Sequence, residues 1–126
     1  MSKTIIHTDH APKPVGPYSQ AVRVGNLLFC SGQIAIDPVS NAVKGGDIRS
    51  QTKLVMENIK AILTAAGGTF ENVVKTTIFL KRMGDFSAVN EVYGTYFSKE
   101  PPSRSTVEVS ALPKGVEVEV EVIAAF

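Results

Sequence analysis

The sequence predicts an α/β or α+β sandwich in which two amphipathic helices cover one face of a sheet of five or six strands. Three observations predict it. Segments with apolar residues at alternate positions follow segments with apolar residues at helical spacing along the whole chain. Two stretches carry a clear helical stripe, which is too few to cover both faces of such a sheet. The closing stretch, Val116 to Phe126, alternates valine with glutamate, the pattern of a strand with two different faces.

The frame for these elements is a single domain spanning 1–126, a size that buries a core without disulfides. Cys30 is the one cysteine and has no internal partner. No apolar run reaches the length of a membrane span, and Met-Ser-Lys-Thr-Ile-Ile-His lacks the apolar centre of a signal peptide; a cytoplasmic protein without membrane contact is expected. The thirteen Lys and Arg are scattered and the net charge is +1, so nucleic acid is not an expected partner.

Residues 1 to 19 contain Pro12, Pro14, Gly16 and Pro17, which predict an extended, irregular lead-in. His7 and His10 have only Asp9 nearby to complete a ligand set, so they read as solvated residues and no metal is expected. Tyr18 either lines a pocket or packs on the sheet. Ala21 to Val24 and Leu27 to Ile36 form a hairpin about Gly25-Asn26. Leu27, Phe29 and Ser31 would share one face and Leu28, Cys30 and Gly32 the other, so both faces near Leu27 to Cys30 should be covered. Gly32 marks a bulge or a close approach to the backbone. Cys30 reads as a core residue.

Asp47 is placed to cap a helix with a stripe at Ile48, Thr52, Val55, Ile59, Ile62, Leu63 and Ala66, which Gly67-Gly68 ends. Val73 to Lys81 is a strand with Val74, Thr76, Ile78 and Leu80 on one side. Asp85 is expected to cap a second helix with a stripe at Phe86, Val89, Tyr93, Tyr96 and Phe97. Asn90, at the edge of that stripe, is either a surface amide or a pocket donor.

Pro101-Pro102 stops whatever element precedes it, and Ser105 to Ser110 begins the closing pair of strands. Arg104 therefore stands at a strand entrance. There it is either an ordinary solvated cation or a rigid fork for a carboxylate or phosphate. In the last strand Val116, Val118, Val120 and Val122 share one face, while Glu117, Glu119 and Glu121 share the other; Glu117 and Glu121 read as solvated. The sheet face left bare by the helices mixes Glu and Thr with Leu, Phe and Val, which predicts burial against further copies of the chain.

Several segments together resemble the YjgF/RidA family of reactive-intermediate imine deaminases. They are Gly16-Pro17-Tyr18-Ser19-Gln20, Ser31-Gly32-Gln33-Ile34, Glu57-Asn58-Ile59-Lys60-Ala61, Val74-Lys75-Thr76-Thr77, Val89-Asn90-Glu91-Val92-Tyr93, Ser103-Arg104-Ser105, Leu112-Pro113-Lys114 and Val118-Glu119-Val120-Glu121. The resemblance implies a chorismate-mutase-like α+β fold, with the last strand central, assembled as a homotrimer with three sites between subunits. It implies that Arg104 binds a substrate carboxylate and that Glu119 orients or activates water. Tyr18, Ser31, Gly32 and Asn90 would line the pocket. Many family members carry Cys two residues after the arginine; Thr106 stands there, so a thiol has no part and the backbone N–H is the implied contact.

The implied activity is hydrolysis of 2-aminoacrylate/2-iminopropanoate and 2-iminobutanoate to 2-keto acids and ammonia, without cofactor, protecting pyridoxal-phosphate enzymes. A trimeric protein that binds small carboxylates without catalysis is the alternative. Catalysis requires both Arg104 and Glu119, whereas binding requires only the arginine. RNA cleavage or translation inhibition is a third reading of the family, disfavoured by the near-neutral charge.

Overall fold

The computed structural model describes residues 2–126. Six strands form one mixed sheet: β1 (Thr4–Ile6), β2 (Ala21–Val24), β3 (Leu27–Gln33), β4 (Val73–Leu80), β5 (Ser103–Glu108) and β6 (Val118–Ala125). Their order across the sheet is β1-β2-β3-β6-β4-β5. All neighbours are antiparallel except β4 and β5, which are parallel and joined through a helix. Helices α1 (Ile48–Ala65) and α2 (Phe86–Gly94) pack on one face. The α+β class, the strand number and the central place of the last strand agree with expectation.

α1 forms where its stripe demands it. Val55, Met56, Ile59, Ile62 and Leu63 are fully buried, packed with Leu28, Ile78, Leu80, Val118, Val120 and Ala124 into one core. Asp47 caps the helix by accepting from the Ser50 N–H at 2.8 Å. At the other end Gly67 adopts φ +85°, a left-handed conformation that suits glycine and turns the chain out of the helix. Cys30 is buried in this core, and desolvation pushes its thiol up to about 12, so it remains an inert thiol. Among the described residues no helix is long and apolar enough to cross a membrane.

Several expectations need correction. The lead-in is not wholly irregular: its β-branched start pairs with β2 as β1, with Thr4 opposite Arg23 and Ile6 opposite Ala21. β3 ends at Gln33 rather than Ile36, because the chain turns there and Ile36 bridges to Val43. In β4 an extra residue between Val73 and Lys75 shifts the register against β6, so Val73 is buried and Val74 is exposed. Asp85 makes no side-chain cap; it ends a short 3-10 turn, Met83–Asp85, that leads into α2. Tyr96 and Phe97 lie beyond the end of α2 and pack around Phe70, with ring centres 5.1 and 5.3 Å away. β5 runs from Ser103 to Glu108, so Arg104 is its second residue and not a residue before it. β6 begins at Val118, leaving Val116 in a separate small cluster with Ile34 and Ile36. Near Leu27 to Cys30 the helix side of the sheet is covered within the protomer, where Leu28 and Cys30 are buried, and Leu27 and Phe29 lie exposed on the other side, the one expected to meet further copies.

The lead-in is held by one side chain whose role the sequence does not advertise. Gln20 is fully buried; its Nε2 donates to the carbonyls of Thr8 at 3.0 Å and Pro12 at 2.9 Å, and its Oε1 accepts from the Thr8 N–H at 2.7 Å. One amide thereby satisfies backbone groups that a proline-rich segment cannot pair for itself. Replacing Gln20 with Ala is expected to lower stability by about 2 kcal/mol, through buried groups left without partners. Urea denaturation of the two proteins measures this, and an unchanged midpoint contradicts the clamp.

Candidate functional site

The residues singled out in the sequence fall into two groups in the folded chain. The first lines a cleft of about 440 Å³ between the lead-in, the end of β3, the turn Pro113–Gly115 and β6. Tyr18, Ser31, Gly32 and Glu119 all border it, with Lys13, Lys114 and Glu121. Tyr18 is half exposed and its hydroxyl accepts from the Val15 N–H at 3.2 Å, which stands its ring at the mouth. Ser31 is tied to the segment before β2: its N–H donates to the Gln20 carbonyl at 2.9 Å and its Oγ to the Ser19 carbonyl at 2.6 Å.

A bulge in β3 shapes this cleft. Cys30 pairs with Val122 and Gln33 with Val120, so three steps along β3 match two along β6. The extra residue leaves both Cys30 and Gln33 buried. It also corrects the expected face of Gly32, which turns away from Cys30 toward Glu119. A Cβ built on Gly32 would lie 2.9 Å from the Glu119 Cδ. Glu119 is half buried on the sheet face opposite the helices, since Val118 and Val120 beside it are buried in the core. Burial, and then the Glu121 charge, raise its carboxyl above the ordinary value. Glu117, expected to be solvated, is partly buried and paired with Arg82 at 2.8 Å; Glu121 is exposed as expected.

The second group lies at the β5 edge. The Arg104 Nη1 donates to the Asn90 Oδ1 at 2.8 Å, and its guanidinium carbon stands 5.1 Å from the Tyr93 ring centre and 5.5 Å from that of Phe86. Stacking and the amide fix the fork of an exposed arginine. Tyr93 is itself held by a 2.8 Å hydrogen bond between its hydroxyl and Thr76 Oγ1. The Val109 N–H donates to the carbonyl of Leu80, the last residue of β4, at 2.9 Å. Alternation from that bond turns the N–H groups of Thr106 and Arg104 to the open edge of the sheet. Thr106 Oγ1 is buried and has no hydrogen-bond partner among the described residues.

These two groups do not meet within one protomer. β5 lies two strands from β6 and three from β3, roughly 10 and 14 Å by strand spacing, and Arg104 packs toward α2 while Glu119 faces away from the helices. One half offers a fixed cation with free backbone donors, suited to a carboxylate. The other offers a partly desolvated carboxylate able to accept a proton. Lys114, which stands in the left-handed region at φ 57°, and Lys13 also border the cleft, and no role for either was read from the sequence. The Pro-Lys-Gly turn was the available signal for Lys114. Among the described residues no three His, Cys, Asp or Glu gather in a way that could hold a metal ion.

The profile of the family described as Endoribonuclease L-PSP matches residues 8–126. A RutC family protein of Pyrococcus abyssi is 55% identical over 98% of both chains. The 2-iminobutanoate/2-iminopropanoate deaminase of Mus musculus is 46% identical over 97% of this chain and 90% of its own. Among solved structures, E. coli TdcF with bound serine superposes with a TM-score of 0.93 at 40% identity, covering 98% of each chain.

The raised carboxyl of Glu119 has a consequence for stability. A carboxyl whose folded-state pKa exceeds its unfolded value disfavours the native state once the pH passes the unfolded value. Glu119→Gln is therefore expected to raise the urea midpoint at pH 7, with the gain vanishing as the pH falls below about 4. A midpoint at pH 7 equal to or lower than the native one contradicts this.

Proposed function

The chain belongs to the YjgF/RidA family, and on that premise we propose that it hydrolyses 2-iminopropanoate and 2-iminobutanoate to 2-keto acids and ammonia. The observation that carries the reading is the pair of complementary half-sites, a carboxylate-binding edge and a proton-accepting cleft, which only different copies of the chain can bring together. A head-to-tail contact repeated about a threefold axis closes into a ring and joins one copy's β5 edge to the next copy's cleft. We take the assembly to be this homotrimer, with a site at each of its junctions.

In this reading the substrate carboxylate lies on the Arg104 fork and the Thr106 N–H at the open strand edge. Asn90 holds the fork, so binding requires little reorganisation. The imine carbon then faces the neighbouring copy's cleft, where Tyr18, Ser31 and Gly32 enclose it. Glu119 takes a proton from water as the oxygen attacks the carbon of the protonated imine, whose C=N electron pair moves to nitrogen, giving a neutral carbinolamine. Glu119 returns its proton to the nitrogen, the C–N bond breaks as Glu119 takes the hydroxyl proton, and the departing ammonia carries that proton away as ammonium, leaving a 2-keto acid. No cofactor takes part. Spontaneous imine hydrolysis is already fast, so orientation and one proton acceptor suffice to protect pyridoxal-phosphate enzymes from such products.

The mouse relative's name supports the reaction, and the serine bound by TdcF supports a site for small carboxylates. The latter also favours the second reading, a carboxylate-binding regulator without turnover. RNA is not the substrate in either reading, since a net charge of +1 gives little to attract it.

The test follows pyruvate release from 2-aminoacrylate generated by a serine/threonine dehydratase. Wild-type protein is expected to accelerate release, Arg104→Ala to abolish the acceleration with the trimer intact, and Glu119→Gln to lower kcat by about 10²- to 10⁴-fold. When the two variants are unfolded together and refolded as mixed trimers, about a quarter of the junctions regain both native halves and activity reappears. Mixed trimers without activity contradict the shared site. Wild-type protein that binds pyruvate without accelerating its release establishes the binding reading instead.

A further inference from the structure

The glycine at position 32 has no conformational cause. The glycines with left-handed backbones are Gly25, Gly46, Gly67 and Gly115; Gly32 is not among them, and its φ is one that any residue adopts. What Gly32 lacks is a side chain, and the space a Cβ would fill is already taken. A Cβ there would lie 2.9 Å from the Glu119 Cδ and 3.2 Å from its Cγ, with Oε2 closer still. We propose that Gly32 is a positioning residue: by leaving its Cβ space empty it seats the Glu119 carboxylate against the β3 backbone, at the depth and angle from which it reaches the attacking water.

Neither backbone is free to retreat. Gly32 sits in a bulge pinned by the two Ser31 hydrogen bonds to Gln20 and Ser19 on one side and by the β6 ladder on the other. Glu119 belongs to the central strand, between β3 and β4. With both chains fixed, a methyl group at position 32 moves only the Glu119 side chain, out of its half-buried seat and into the cleft. The charged groups facing it there are Glu121 of its own strand, Lys13 of the lead-in and Lys114 of the turn. From β4, Phe79 stands opposite and brings no charge. A displaced carboxylate is better solvated, ionises more readily, and no longer lies within reach of the water. The role assigned to Gly32 thus passes through Glu119 and rests on the imine-hydrolase reading given above.

The experiment compares Gly32→Ala, Glu119→Asp and the double variant with the native protein, both in imine hydrolysis and in a carboxyl-carbon NMR titration of Glu119. Gly32→Ala is expected to lower kcat about 10²-fold with KM little changed, because the carboxylate-binding half is untouched. The acid limb of its pH–rate profile shifts to lower pH, and the titration of Glu119 shifts with it. Asp lacks the methylene that places Cδ against the new methyl, so Gly32→Ala costs far less in the Glu119→Asp background than in the native one. A kcat within twofold of native, or losses that simply multiply in the double variant, overturns the proposal. If Gly32→Ala alone does not fold, the double variant is expected to fold; its failure also overturns the steric account. If the native protein hydrolyses no imine, the functional reading fails, while an unmoved Glu119 titration in Gly32→Ala separately refutes the seating.

Discussion

The single extra residue of β3 between Cys30 and Gln33 is the constraint on which the cleft depends. It resets the alternation of the strand, so two residues three apart both point into the core and the pair between them is released to the other face. It also ends the strand. Beyond it the chain leaves the sheet, and the buried Asn58 of α1 receives it by donating to the Ile36 carbonyl at 2.9 Å. Ile34 and Ile36 then meet Val116 in a small second cluster beside the cleft. A helix amide, a strand irregularity and a distant loop thus form one wall. Gln20 fixes the opposite wall, so the cavity is bounded by polar side chains that satisfy backbone groups where the ladders stop.

The division of polar residues between two distant places in the protomer has a physical logic. A guanidinium beside Glu119 in one chain would pair with it, hold it ionised and occupy its oxygens. Kept apart, each group has a different neighbour: aromatic rings and an amide for Arg104, the β3 backbone for Glu119. In the proposed ring the two approach each other across a substrate. In that ring the exposed Leu27 and Phe29 are surfaces of an incomplete unit.

Much of the fold was legible because its signals are local. The α1 stripe, its Asp47 cap, the turn at Gly25-Asn26 and the buried face of Val118, Val120 and Val122 each depend on residues a few positions apart, and all are found. At α2 the errors fall at its two ends, where a 3-10 turn precedes it and the aromatic residues after Gly94 pack on Phe70. In the sheet they fall where a partner strand decides. Val74 and Gly32 occupy faces opposite to those that simple alternation assigns, because bulges opposite β6 reset the count. β1 is three residues long and earns its pairing from β2 rather than from its own pattern. At the site, the family's motifs singled out the residues, but which of them border the cleft and which stand at the β5 edge was not legible. That separation follows from strand order, which no local pattern records.

The position of β6 bears on how the molecule comes into being. β3 and β4, which flank it, have no direct ladder with each other, and β6 emerges from the ribosome after both. Until then the β1-β2-β3 meander and the β4-α2-β5 unit lack the strand that joins them, and each presents an open edge and an uncovered apolar face. The sheet closes in one late event that unites them over long sequence separations, a step intrinsically slower than local pairing. Synthesis therefore passes through an interval in which the growing chain is exposed to wrong strand partners, and the arrival of a single segment ends it.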